Sequence, residues 1–170
     1  MSRKLNKRLK KLKLLILDVD GVLTDNGVYV GSDGNEYKRF NIQDGFGIYL
    51  AQKAGVKVAL LSGRFSKSTE YRAQELKIEQ VYNGYTDKLK TYQELKEKLG
   101  LQDEEIAFVG DDLPDVPVLK QVGFPMTVKN AQPEVKKLVD YVTRLPGGQG
   151  AVREIINLIL KAKKFRYKQA

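Results

Sequence analysis

A chain of 170 residues, 42% of them hydrophobic, can bury one core of ordinary size, and a single domain spanning 1–170 is expected. It has neither cysteine nor histidine, which excludes disulfide frameworks, thiolate nucleophiles, serine-histidine-aspartate triads, phosphohistidine chemistry and histidine-ligated zinc. The net charge of +9 belongs to the ends: residues 1–13 hold seven Lys or Arg and 161–170 hold five, and removing those twelve leaves 18 basic against 21 acidic residues, a body of −3.

Basic ends of this kind could touch nucleic acid or an anionic membrane, but a solvated, solubilising role is the expected one. No apolar run approaches 18 residues and no apolar stretch of signal length precedes Asp18, so neither a membrane span nor a secretory signal is expected. A reducing, cytoplasmic compartment is the default for a chain without cysteine.

In the N-terminal arm Leu5, Leu9 and Leu12 have helical spacing. Beyond it, strands are predicted at Leu14–Leu17, Val56–Leu61, Glu79–Tyr82, Ile106–Val109, Phe124–Val128 and Tyr141–Thr143. Between them the pattern predicts helices over Gly45–Ala54, Ser66–Leu76, Lys88–Leu99, Pro114–Gln121, Pro133–Val139 and Ala151–Lys164. That alternation is the mark of an α/β, Rossmann-like three-layer fold, a parallel sheet with helices on both faces. One segment breaks the rhythm. Val28–Phe40, two β-prone arms around Gly-Ser-Asp-Gly-Asn, reads as a projecting β-hairpin. A lone hairpin is marginal, so copies of itself in an oligomer are its expected partner.

The chemistry collects where three predicted strands end. Four apolar residues, "LLIL", run straight into Asp18-Val19-Asp20-Gly21; the second strand is followed by Ser62-Gly63-Arg64 and the fourth by Gly110-Asp111-Asp112. Ligands of open parallel sheets bind at those carboxyl ends. Each residue alone has an ordinary structural explanation, as a turn, a helix cap or a surface charge. Together, four carboxylates at one sheet edge would repel one another by several kcal/mol without a cation among them. With only oxygen ligands on offer, Mg²⁺ is the natural choice. Lys88, opening a helix, can bring an ammonium to the same place. An aspartate that attacks phosphorus, with a second two residues on for proton transfer, is an established route to phosphoryl transfer.

"DVDGVLT" with Asp18, Asp20 and Thr24, then Ser62, Lys88 and "GDDLPD" from Gly110 to Asp115, resembles in order the four motifs of the haloacid dehalogenase superfamily of phosphatases. The resemblance implies that Asp18 is the nucleophile and a Mg²⁺ ligand, and that Asp20 is the general acid/base, lending a backbone carbonyl to the metal. It further implies that Ser62 and Lys88 hold the phosphate, that Asp111 ligates Mg²⁺, that Asp112 supports the metal shell and that Thr24 steadies the loop. Over nearly the whole chain, "FNIQDGFGI", "LLSGR", "DYVTR" and "GGQGAVREI" are similar to the 3-deoxy-D-manno-octulosonate 8-phosphate phosphatases of lipopolysaccharide biosynthesis. Members of that family are cap-less tetramers associated through their hairpins.

Spacing independently argues against a cap: 36 positions separate Asp25 from Leu61 and 25 separate Gly63 from Lys88, room for the elements above and no more. By the same resemblance Asp20, Asn41, Asp44, Gly45, Arg64, Arg72 and Lys88 are the substrate contacts. Guanidinium forks suit a sugar acid's carboxylate or phosphate, whereas Asp44 serves equally as an N-cap for the helix after it. The glycines of Gly147–Gly150 read as a flexible segment before the last helix. Two features depart from the family pattern, the lysine-rich ends and Tyr49, which stands where relatives can carry arginine. A nine-carbon sugar acid phosphate as substrate, and an idle regulatory module of the same fold, are the alternatives.

Overall fold

The computed structural model describes residues 3–167. The last three residues of the basic C-terminal stretch and the side chain of Leu5 lie outside what it describes.

The unbroken apolar run Leu14–Leu17 forms strand β1, fully buried at all four positions, as a strand covered on both faces must be. Chain order runs from helix α1 (Arg3–Leu9) through β1 to a hairpin of β2 (Tyr29–Val30) and β3 (Glu36–Tyr37), then α2 (Ile42–Lys53), β4 (Lys57–Ser62), α3 (Lys67–Glu75) and β5 (Gln80–Asn83). It continues with α4 (Lys88–Leu99), β6 (Ile106–Val109), α5 (Val116–Leu119), β7 (Phe124–Thr127), α6 (Pro133–Lys136), β8 (Tyr141–Val142) and α7 (Ala151–Ala162). Six strands pair parallel in the order β5-β4-β1-β6-β7-β8. From β1 the chain steps outward to β4 and β5, then crosses back to β6 on the other side. Right-handed crossovers of opposite direction place helices on opposite faces, and α2 packs with α7 while α4 packs with α5. The reversal of strand order falls at β1, the position at which doubly wound sheets open a crevice.

Capping explains where helices depart from the expected bounds. α2 begins at Ile42, before the predicted Gly45, because the Asn41 side chain accepts from the amides of Gln43 and Asp44 at 2.8 and 3.3 Å. α4 matches its predicted span, capped by Asp87 at one end and by left-handed Gly100 at the other. The predicted helix Pro114–Gln121 splits into a 3₁₀ turn, Leu113–Asp115, and the short α5. Proline at Pro117 has no amide to donate, and Asp115 turns its carboxylate back onto the amides of Asp111 and Asp112.

The hairpin is antiparallel, Tyr29 opposite Tyr37, and pairs with no strand of the main sheet. Val28, Tyr29, Val30 and Tyr37 are exposed on it. The basic N-terminal arm, expected to be solvated, is docked. Leu9 and Leu12 are completely buried, the Arg8 guanidinium lies 4.6 Å above the Phe124 ring and 2.9 Å from Asp140, and it also donates to the Gly123 carbonyl. Lys163 Nζ donates to the Lys10 carbonyl at 3.3 Å, so the two basic ends meet. Among the described residues no helix is long and apolar enough to cross a membrane.

Candidate active site

Parallel pairing sets the ends of β1 and β6 level, Leu17 beside Val109, with Leu60 of β4 alongside, two residues short of that strand's end at Ser62. The residues that follow, Asp18, Ser62 and Asp111, are thereby gathered by backbone register alone, all but hidden from solvent. The Ser62 carbonyl accepts from the amides of Gly84 and Tyr85 at 2.9 and 3.0 Å, which draws the loop after β5 inward. Asp87 then caps α4, and Lys88 points its ammonium 3.0 Å from Asp18 Oδ1 and 2.6 Å from Asp115 Oδ1.

One oxygen from each of Asp18, Asp111 and Asp115 lies within 4.8 Å of the others. Three carboxylates around one ammonium leave an excess of negative charge. Burial, then the charge of Asp115, hold the Asp18 carboxyl well above its ordinary range despite Lys88. Burial followed by Asp115 and Asp112 pushes Asp111 up to about 7. Burial works against the ammonium of Lys88, but the charges of Asp18 and Asp115 outweigh it and keep the group protonated. A divalent cation relieves this imbalance, and an oxygen-only donor set suits Mg²⁺. Both oxygens of Asp115 are engaged, Oδ1 by Lys88 and Oδ2 by the amides of Asp111 and Asp112 at 2.8 and 3.2 Å. Both bonds to Asp18 fall on Oδ1, from the Val19 amide at 2.7 Å and from Lys88. The oxygens left open to a metal are Oδ2 of Asp18 and those of Asp111.

The loop after Asp18 is held by contacts from afar. Thr24 Oγ1 accepts from the Gly21 amide at 3.2 Å and donates to the Val19 carbonyl at 3.4 Å. Gly21 sits at φ +85°, and a Cβ there would fall 2.6 Å from the Asp111 carboxyl carbon, so only glycine lets the loop pass. Gly147 and Gly148, expected to be flexible, are buried against the same loop. The Gly148 amide donates to the Val22 carbonyl at 3.1 Å, and Asn130 bridges the Gly147 amide at 2.7 Å and the Gly21 carbonyl at 3.4 Å.

A cavity of about 380 Å³ opens over this cluster, with Asp18, Asp20, Ser62, Lys88 and Asp111 in its wall and Arg64 and Asp112 at its rim. Asp20 carries an ion pair with Lys38 at 2.7 Å. Ser62 Oγ donates to the Arg64 carbonyl at 2.9 Å. Asp112 is exposed and caps the turn after it through the Leu113 amide at 2.7 Å, outside the three-carboxylate cluster. Arg64 pairs with Glu36.

Four predicted substrate residues lie elsewhere. Arg72 lines a separate depression with Lys38, Phe40 and Glu75, donating to Glu75 at 2.7 Å and to the Asn41 carbonyl at 3.3 Å. Gly45 packs beneath that guanidinium. Asn41 caps α2. Asp44 is buried and caps not its own helix but the start of α7, accepting from the amides of Gly150 and Arg153 at 3.2 and 2.7 Å. Sequence reasoning assigned no role to Asp115, whose position four residues after Asp111 was the available signal, or to Lys38, which carried none.

A buried carboxylate at a switch point, a lysine against it and open oxygens for a hard cation are what an aspartate-dependent phosphoryl-transfer enzyme requires. Comparison with known proteins narrows this class. Residues 78–155 match the family of haloacid dehalogenase-like hydrolases. The 3-deoxy-D-manno-octulosonate 8-phosphate phosphatase KdsC of Escherichia coli (strain K12) is 45% identical over 156 residues, covering 92% of this chain and 83% of that protein. The crystal structure of 3-deoxy-D-manno-octulosonate 8-phosphate phosphatase from Moraxella catarrhalis, in complex with magnesium ion, phosphate ion and KDO molecule, superposes with a TM-score of 0.94 at 38% identity, covering 97% of this chain and 95% of that one. The cobalt-bound phosphatase of Haemophilus influenzae gives 0.89 at 36% identity, with 92% of each chain covered. The chain belongs to the 3-deoxy-D-manno-octulosonate 8-phosphate phosphatase family of haloacid dehalogenase-like hydrolases.

Proposed function

We propose that this protein is a Mg²⁺-dependent phosphomonoesterase that hydrolyses 3-deoxy-D-manno-octulosonate 8-phosphate to the sugar acid and phosphate, in the cytoplasm, during lipopolysaccharide biosynthesis. The observation that carries the reading is the triad Asp18, Lys88 and Asp111 under one cavity, in a chain 45% identical to KdsC. Asp18 attacks phosphorus, forming an aspartyl-phosphate as the ester bond to the sugar oxygen breaks. Asp20 protonates that oxygen and later takes a proton from the water that frees phosphate. Lys88 and Ser62 hold the phosphoryl oxygens, and Lys88 also favours the ionised form of Asp18 against burial and the charge of Asp115. Mg²⁺, held by Asp18, Asp111 and the Asp20 carbonyl, would neutralise charge building on the phosphoryl group. Asp115 fixes the Asp111 amide and Lys88 rather than the metal, and Asp112 shapes the turn beside it. Arg64 is the partner of the sugar acid's carboxylate. Asn41, Asp44, Gly45 and Arg72 contribute by shaping the ground between α2 and α3.

The whole chain acts as one catalytic domain without a cap. Four apolar side chains exposed on so short a hairpin support its burial against copies of itself, in a homotetramer that also helps to close the open cavity. The decisive experiment is phosphate release from a panel of sugar phosphates, with and without Mg²⁺, beside Asp18→Asn. Turnover led by the eight-carbon acid phosphate, and abolished by chelation and by the variant, supports the reading. A panel led by nine-carbon acid phosphates overturns the substrate, and turnover by Asp18→Asn overturns the mechanism.

A further inference from the structure

The hairpin turns charged side chains back onto the rim of the cavity. Lys38, just past β3, reaches Asp20 Oδ1 at 2.7 Å with none of its side chain exposed. Glu36 stands next to it, Oε1 3.8 Å from the same ammonium, and pairs with Arg64 through Oε2. The Glu36 carbonyl accepts from Ser68 Oγ at 3.1 Å, which ties β3 to the first turn of α3. Four charges of alternating sign, Asp20, Lys38, Glu36 and Arg64, therefore connect the loop after β1 to the loop after β4.

One member of this chain is left wanting. Glu36 Oε1 is buried and has no hydrogen-bond partner, although a hidden carboxylate oxygen ordinarily finds one. The ammonium of Lys38, 3.8 Å away, is committed to Asp20. Lys38 thus has two acceptors within reach of a small side-chain movement and satisfies the one at the site. Arg64, half exposed, is the member most open to a ligand arriving from solvent.

We propose that Lys38 and Glu36 are positioning residues that couple occupation of Arg64 to the freedom of Asp20. An anionic group on the substrate takes Arg64 from Glu36; Glu36 turns to Lys38; Lys38 lets go of Asp20, whose carboxyl then reaches the leaving oxygen. Ion pairs are exchanged and no covalent bond changes in these moves. The inference rests on the reading of Asp20 as proton donor and Arg64 as carboxylate partner given above. It makes the substrate's remote acid group contribute to the chemical step as well as to binding, so that selectivity shows in kcat.

Steady-state kinetics of the full-length, Mg²⁺-loaded protein test this with two primary phosphates of similar leaving alcohol, 3-deoxy-D-manno-octulosonate 8-phosphate and glucose 6-phosphate. The readout is the ratio of their kcat values. Glu36→Gln keeps the shape of the side chain but removes the charge that recaptures Lys38, and the ratio is expected to fall by about tenfold. Lys38→Met should lower it similarly, and Lys38→Arg should retain it. A role confined to holding the hairpin in place would slow both substrates together and leave the ratio as in the wild type, which overturns the proposal. Should Lys38→Met fail to fold, Glu36→Gln alone decides. If the wild-type protein instead favours a nine-carbon acid phosphate, the substrate reading fails, and the same ratio measured with that acid still judges the coupling.

Discussion

Removing a carboxylate from the cluster should make the metal-free protein more stable while destroying its activity. The perturbation is Asp111→Asn. In the metal-free fold Asp111 holds its proton up to about pH 7, against 3.8 for an ordinary aspartate. Between those values folding at this group favours the bound proton, so the contribution of Asp111 to stability is greatest in acid and declines as pH rises through about 7. Integrated over the interval, ionising Asp111 costs the fold at most about 4 kcal/mol. Asp18 and Asp115 share the burden, so a gain of about 2 kcal/mol is expected when the charge is removed. Urea unfolding in chelator measures it. The gap between wild type and Asp111→Asn should be small near pH 4.5 and widen by pH 8, the variant unfolding there at a midpoint higher by about 1 M. Taking the difference between the two proteins cancels the titrating groups away from the cluster, and Asp18, whose carboxyl the Asp111 charge also pushes up, moves in the same direction. Saturating Mg²⁺ should reverse the order, stabilising wild type by about 3 kcal/mol at a hundred times its dissociation constant and the variant far less. If the two curves stay parallel from pH 4.5 to 8, or if the variant is the weaker in chelator, the electrostatic account of the site is wrong.

Gly147→Ala places a Cβ 2.6 Å from the Gly21 carbonyl carbon and 2.9 Å from the Thr24 oxygen. The catalytic loop must shift, and kcat is expected to fall at least tenfold for a loss of about 1–3 kcal/mol in urea unfolding. Arg8→Ala removes the Asp140 pair and the ring contact with Phe124; with the side chain more than a third exposed, the cost should be about 1 kcal/mol, a melting point lower by about 3 °C. Val30→Asp charges the most exposed apolar position of the hairpin, and sedimentation should report a smaller assembly with the circular dichroism unchanged. An assembly of unaltered size would place the contact elsewhere.

Much of this site was legible because strand ends are legible. A run of four apolar residues ending in acid, at once for Asp18 and after one glycine for Asp111, marks both a buried strand and the charge at its tip. α4 was bounded correctly because Asp87 and Gly100 are strong local signals at both ends. What was hidden depends on contacts between distant segments. Lys38 meets Asp20 across 18 positions, and Asp44 caps a helix that starts more than a hundred residues later. Nothing near either residue announces its partner. The basic arm misled because charge dominates its composition, whereas Leu9 and Leu12, a minority on one face, decide where it goes. The glycines at 147 and 148 suggested freedom of movement, yet absent side chains serve equally to let two backbones touch.

That touch has a bearing on synthesis. The first catalytic segment leaves the ribosome as the loop after β1, but the segment that braces it follows more than a hundred residues later. Until Gly147 and Gly148 arrive, Gly21 and Val22 lack their counterparts, and a nascent or prematurely terminated chain carries its nucleophile without the scaffold that aims it. Catalytic competence in this protein is therefore acquired only after residues 147 and 148 have followed that loop out and closed over it.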